Sequence, residues 1–96
     1  MSTIKVEKPS PEKLKQLKIP SAPKEVDGWS VWECPPSTFD WQYSDTEVAY
    51  VYEGKVKVTT ADGAVEINKG DLVTFPKGLA CQWQVLKKIR KVYRFQ

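Results

Sequence analysis

Short apolar or alternating runs separated by turn residues fill the chain from Gly28 onward, and this pattern constrains the fold most. Side chains of a strand point alternately to its two faces, so a period of two predicts strands that are buried on one face. We predict about eight strands from such runs: WSVWE, TFDWQY, EVAYVYEG, KVKVTT, AVEINKG, DLVTFP, ACQWQVL and IRKVYRF. Asp62-Gly63 favours a tight hairpin turn. The pattern therefore predicts an all-β jelly roll whose interior has room for side chains and one small ligand.

Residues 1–27 differ in composition, since they are rich in lysine and proline. This composition predicts one short helix between extended segments. Ser10 is suited to cap this helix, Pro11 to occupy its first position, and Pro20 to stop the element. We expect its leucines to dock on the body of the protein. The predicted organisation is thus an N-terminal extension, 1–27, packed on a single domain, 28–96.

Composition limits the functions that the chain can have. Its 96 residues suit one domain, and no apolar run approaches the length that spans a bilayer. We expect a soluble cytoplasmic protein with no membrane partner, although a mature organelle-targeted form would look the same. The formal charge is +3, with the basic run KKIRKVYR near the carboxyl end. No nucleic-acid motif accompanies this run, so we interpret it as a solvated strand face and expect no nucleic-acid partner.

One spacing near the carboxyl end matches a known motif. Gly70, Pro76 and Gly78 stand at the intervals of the second cupin motif, G-x5-P-x-G-x2-H, and Cys81 occupies the place of its histidine. The glycines and the proline suit a chain corner, because they permit or fix unusual φ angles.

The first cupin motif, H-x-H-x(3,4)-E-x6-G, is matched at its end by Glu47 and Gly54. Its two histidines would fall either on Asp40 and Gln42 or on Trp41 and Tyr43. Over about 85 residues the chain resembles the cupin superfamily, in particular the small single-domain cupins similar to the cupin domain of (S)-ureidoglycine aminohydrolase. This resemblance implies a double-stranded β-helix barrel and often a homodimer.

The motif positions offer poor metal ligands, because the chain contains no histidine. Cupin sites use imidazoles, which suit Mn, Fe, Ni, Cu or Zn. A set that combines the Glu47 carboxylate and the Cys81 thiol with amide, phenol or indole groups would hold such ions poorly. Related small cupins often carry a histidine in the last strand, where this chain has Val92. We therefore predict no metal and no cofactor, with a divalent Mn, Fe, Ni or Zn ion as the alternative.

The two cysteines support no disulfide framework, and we expect Cys34 and Cys81 to be reduced and unreactive. A nucleophilic Cys81 would need a neighbouring base or cation, and the chain has no histidine to supply the base. A redox disulfide between them would require Cα atoms within about 7 Å.

The candidate ligand-binding residues are those that the motif strands would place inside the barrel: Trp41, Gln42, Tyr43, Glu47, Cys81 and Trp83. Burial favours the neutral form of a carboxyl, so Glu47 could act as a general acid or base. It could equally be a structural group held by a Tyr hydroxyl or a Trp N–H. The Trp rings could line an open cavity, where they would suit a small polar or cationic ligand, or fill the barrel.

Three functions stay open at this point. The first and preferred one is a binding module for a small polar metabolite, without catalytic residues. The second is a metal-dependent aminohydrolase acting on a ureido compound, as the narrower resemblance implies. The third is a structural or interaction protein with a filled barrel.

Overall fold

Antiparallel strands form most of the structure, a computed structural model that describes residues 4–96. In chain order its elements are β1 (Lys5–Glu7), α1 (Pro11–Gln16), β2 (Ser30–Cys34), β3 (Ser37–Gln42), β4 (Glu47–Thr60), β5 (Gly63–Asn68), β6 (Leu72–Phe75) and β7 (Ala80–Phe95). The predicted all-β cupin-like barrel is confirmed. No helix of the described residues is long and apolar enough to cross a membrane.

The long strands β4 and β7 pair with each other along most of their length and connect two layers. The first half of β4 and the second half of β7 belong to the layer β1-β6-β4-β7-β2. The second half of β4 and the first half of β7 pair with β5 and β3. The prediction of two separate strands within each of these segments is therefore wrong, because each strand bends and continues from one layer into the other.

Gly54 lies where β4 and β7 bend. Their register shifts three times between Val51 and Val56. Gly54 has a φ of +109°, and an added Cβ would lie 2.4 Å from the carbonyl oxygen of Lys88 and 2.6 Å from the Cα of Ile89. Only glycine permits this backbone contact, since it has no Cβ and tolerates a positive φ.

The corner between β6 and β7 holds the motif residues. Gly78 has a φ of +86°, its N–H donates to the carbonyl of Tyr43 over 2.7 Å, and the Tyr43 N–H donates to the Leu79 carbonyl over 2.9 Å. The Leu79 N–H donates to the Pro76 carbonyl over 3.2 Å. These bonds fasten the corner to the end of β3 and fix where Tyr43 lies.

The hairpin between β4 and β5 differs from the prediction by one residue. Thr60 pairs with Gly63, so Ala61 and Asp62 form the turn in place of Asp62-Gly63. The Thr60 hydroxyl accepts the Asp62 N–H over 3.1 Å, which stabilises the shifted turn.

The N-terminal extension covers the outer face of the larger layer. Ser10 caps α1 as predicted, by accepting the Lys13 N–H with its side chain. Leu17 packs against an outer cluster of buried side chains, which consists of Trp29, Val48, Leu72 and Val92. The Trp29 indole N–H donates to the Leu17 carbonyl over 3.1 Å. The pairing of β1 with β6 was not predicted, since a three-residue strand is too short to show a period.

Candidate ligand-binding cavity

A cavity of about 170 Å³ lies in the barrel among side chains of β2, β3, β4 and β7. Trp41 and Phe95 are 53% and 55% exposed and form its rim. Tyr43 and Trp83 are buried and form its inner wall. Seven aromatic rings and two charged side chains line it: Trp32, Phe39, Trp41, Tyr43, Trp83, Tyr93, Phe95, Glu47 and Lys91.

An ion pair between Glu47 and Lys91 forms the charged part of the lining. The Lys91 Nζ lies 2.9 Å from Glu47 Oε2, and the lysine and glutamate side chains are only 6% and 8% exposed. Burial lowers the pKa of the Lys91 ammonium, while the adjacent Glu47 carboxylate opposes this shift. Each charge therefore depends on the other, because a buried charge without a partner is costly.

Aromatic rings surround the Lys91 ammonium. Its Nζ lies 4.8 Å from the centroid of a Trp83 ring, 5.0 Å from Trp32, 5.5 Å from Tyr93 and 5.8 Å from Phe75. Contacts of this kind attract a cation through the ring quadrupole. The lysine thus occupies the aromatic surroundings that would suit a small cationic ligand.

Tyr43 and Trp83 form the neutral polar contact of the inner wall. The Trp83 indole N–H donates to the Tyr43 hydroxyl over 3.2 Å, and Tyr43 stacks on Phe75 with 4.7 Å between ring centroids. Burial, and secondly the Glu47 charge, raises the pKa of the Tyr43 hydroxyl. Tyr43 is therefore a neutral group across the physiological pH range.

Four of the six residues predicted for the interior line this cavity: Trp41, Tyr43, Glu47 and Trp83. Gln42 does not, because it follows Trp41 on β3 and points to the opposite, exposed face. Cys81 is buried next to the cavity, with its Sγ 3.6 Å from the Trp41 carbonyl oxygen. Burial raises the pKa of the Cys81 thiol, which opposes a nucleophilic role.

The two cysteines are both free thiols. Cys34 lies opposite Ile89, whereas Cys81 lies opposite Trp41 at the other end of β7. Their pairing positions on β7 are thus eight residues apart, which would be roughly 26 Å along a straight strand, and no disulfide joins them.

Sequence reasoning missed Lys91, the residue that defines the charged end of the cavity. It assigned this lysine to a solvated basic face, and the structure corrects that assignment, since Lys91 is buried. The signal was present in the alternation of the last strand. Ile89, Lys91 and Tyr93 share one face of β7, so a lysine stood between two apolar residues on a face that points inward.

The donor set does not fit a transition metal. The carboxylate of Glu47 is already paired with the Lys91 ammonium, which a divalent ion bound there would have to displace. Within residues 4–96, no cluster of three or more His, Cys, Asp or Glu side chains gathers around one point.

Comparison with known proteins establishes the family. The protein-family model described as the EutQ-like cupin domain matches residues 21–93 of this sequence. The chain belongs to the EutQ-like cupin family. This confirms the cupin resemblance that the motif spacing indicated.

Among curated proteins, the chain is 30% identical over 66 residues to the acetate kinase EutQ of Clostridioides difficile strain 630. That match covers 69% of this chain and 42% of the EutQ protein. This EutQ-like cupin therefore spans less than half the length of that curated relative.

Two solved structures show the same fold. A DUF861 family protein from Thermotoga maritima is 50% identical, with a TM-score of 0.87, and the match covers 98% of this chain and 100% of that one. The Clostridium difficile EutQ structure is 29% identical, with a TM-score of 0.63, over 68% of this chain and 52% of that one. The matched region is thus the whole of the first chain and about half of the second.

Proposed function

We propose that this EutQ-like cupin is a binding module for a small organic molecule held in the aromatic cavity. The observation that carries this proposal is an accessible space whose aromatic walls end at the buried Glu47–Lys91 pair. Pockets of this kind bind the apolar part of a ligand on their walls and orient it through a few polar groups. A barrel sealed by Trp41 and Trp83 would have supported an interaction protein, but Trp41 stands at the rim.

The charges in the cavity favour a neutral polar ligand over a cationic one. Lys91 already places an ammonium group among the rings, so a second cation would be repelled there. A carbonyl or amide oxygen could accept from the Lys91 ammonium, and a ligand N–H or O–H could donate to Glu47. The proposed ligand has a small apolar body and one such group.

The size of the cavity limits the ligand further. The cavity has a volume of about 170 Å³ and is open at its rim. Drug-sized ligands occupy pockets of about 300 Å³ or more, so a nucleotide would not fit inside. The kinase activity named for the Clostridioides difficile relative is therefore not supported for this chain by its cavity.

The aminohydrolase alternative depends on a divalent metal, and the Glu47–Lys91 pair argues against one. Metal analysis of protein purified without a His tag tests this point. We expect less than a tenth of an equivalent of Mn, Fe, Ni or Zn, whereas a stoichiometric metal would favour the aminohydrolase.

A homodimer and a cytoplasmic location stay predictions.

Indole N–H resonances provide a direct test of binding. Trp32, Trp41 and Trp83 line the cavity, whereas Trp29 lies in the outer cluster and serves as an internal control. Titration with butyramide, followed by 1H–15N correlation spectra, should shift the three cavity indoles and leave Trp29 in place. Equal shifts for all four, or none with butyramide, benzamide and butyrate, would refute a small-molecule site in this cavity.

The variant Glu47→Gln adds a second arm, with Glu33→Gln as its matched control. Glu33 also pairs with a β7 residue, Arg90, but on the surface. Glu47→Gln should weaken butyramide binding and Glu33→Gln should not, since only Glu47 lies in the cavity.

A further inference from the structure

We propose that Lys91 forms a covalent imine with small aldehydes that enter the cavity. This proposal rests on the proposed function, because the aldehyde must first bind there. It deepens that function by naming a substrate class, carbonyl compounds, and a reactive atom, the Lys91 Nζ.

The position of Lys91 supports this chemistry. Its side chain is only 6% exposed, and Lys91 belongs to the lining of the cavity. Rings of Trp32, Trp83 and Tyr93 lie within 5.5 Å of Nζ. These apolar walls would exclude water from an imine, whose hydrolysis is otherwise rapid.

Imine formation requires a neutral amine, and the surroundings of Lys91 promote deprotonation. Burial lowers the pKa of Lys91, and a desolvated lysine is a better nucleophile at neutral pH than an exposed one. Glu47 Oε2, 2.9 Å away, can accept the proton directly. The other titratable groups facing the cavity are the phenols of Tyr43, which follows β3, and Tyr93 on β7.

The reaction balances without an oxidant or a reductant. Lys91 transfers a proton to Glu47, and the lone pair of the amine then forms a C–N bond to the aldehyde carbon. The C=O π bond opens as this bond forms, and a proton passes from the attacking nitrogen to the oxygen to give a carbinolamine. Glu47 then supplies a proton to the hydroxyl, the C–O bond breaks, and water leaves as the C=N bond forms.

Lys88 provides a matched comparison on the same strand. Its side chain is 54% exposed, and its Nζ lies 3.5 Å from Glu33 Oε1, so it too is a lysine of β7 beside a carboxylate. Unlike Lys91, it lies at the surface and does not line the cavity. A preference for Lys91 over Lys88 therefore reports the cavity and not the strand or the ion pair.

Reductive trapping tests the proposal on the intact protein. We would incubate it with butyraldehyde and sodium cyanoborohydride at pH 7, and measure butylation of each lysine over time by peptide mass spectrometry. Lys91 should react at least tenfold faster than Lys88 in the native protein, and this preference should vanish in 8 M urea. Equal or slower labelling of Lys91 in the native protein would overturn the proposal.

A non-reactive analogue separates the two proposals. Butyramide has the same length as butyraldehyde but forms no imine, so it reports binding alone. Butyramide shifts at the cavity indoles without selective labelling of Lys91 would refute the imine and keep the binding site. If both results were absent, the binding function would fail as well. Lys91→Met should abolish selective labelling, and the comparison of lysines in the wild-type protein decides the question if that variant does not fold.

Discussion

The substitution Lys91→Met is expected to destabilise the protein by several kcal/mol, because it leaves the Glu47 carboxylate buried without its cation. Methionine keeps an unbranched apolar stem, so the change removes mainly the charge. The side chain of Glu47 is 8% exposed, and its Oε2 accepts its hydrogen bond from Lys91. Removing one partner of a buried ion pair typically costs about 3–5 kcal/mol.

Neutralisation sets a ceiling on this cost. A buried carboxylate without a cation can become neutral by taking up a proton. At pH 7 this protonation costs about 4 kcal/mol for an ordinary glutamate. We therefore expect Lys91→Met to lower the free energy of unfolding by about 3–4 kcal/mol at pH 7. The deficit should shrink towards pH 5, because protonation becomes less costly as pH falls.

Urea unfolding monitored by tryptophan fluorescence measures these differences. The control is Glu33→Gln, which breaks the Arg90–Glu33 pair at 3.2 Å between side chains that are 38% and 41% exposed. Exposed pairs contribute about 0–1 kcal/mol, so this control should be nearly neutral. The double variant Glu47→Gln/Lys91→Met should recover about 2 kcal/mol relative to Lys91→Met, since no charge stays buried.

A loss below about 1 kcal/mol for Lys91→Met at pH 7 would refute this reasoning, because it would mean that water reaches the pair. A loss that does not change between pH 7 and pH 5 would refute the assignment of the cost to the Glu47 charge.

Three further predictions concern other parts of the fold. Gly54→Ala should cost more than about 3 kcal/mol in urea unfolding, since its Cβ would meet the β7 backbone at 2.4 Å. Gly63→Ala, with a similar positive φ but open space, should cost clearly less, and equal losses would contradict the steric argument. Iodoacetamide should label Cys34 well before the buried Cys81 in the native protein, as followed by mass spectrometry, and the reverse order would contradict the structure. Burial raises the pKa of the Tyr52 hydroxyl on β4 to about 12 from 10.0. The stability that the neutral hydroxyl contributes to the folded state is therefore complete below pH 10 and is lost as pH rises towards 12. Tyr52→Phe should therefore flatten the loss of thermal stability between pH 10 and pH 12, and an unchanged slope would refute this.

The strand pattern and the motif spacing predicted the fold because both depend on local sequence. Alternation along β3 and β7 identified which side chains share a face, and it correctly grouped Trp41 with Tyr43. What local sequence could not show is that β4 continues through Gly54. A glycine at the end of an apolar run is typical of a turn, and only its approach to β7 reveals a bend within one strand.

The cavity was harder to predict because its residues come from distant segments. Trp32 precedes Lys91 by 59 positions, and β2 reaches β7 only through long-range pairing. Gln42 was assigned to the interior from the motif alignment, although the period of the strand already placed it opposite Trp41 and Tyr43. Where the motif and the physical period disagreed, the period was right.

Cys81 and Lys91 are best understood together. A carboxylate at the position of Glu47 lies in an apolar interior and requires a positive partner. Histidine-bound metal would supply that charge, and this chain, which lacks histidine, has an ammonium group from β7 within 2.9 Å of the carboxylate instead. Because Lys91 compensates the charge of Glu47, no metal ligand is needed at position 81. The small thiol of Cys81 is buried there instead. Replacing Cys81 alone with histidine would therefore not create a metal site, because Lys91 would still occupy the Glu47 carboxylate.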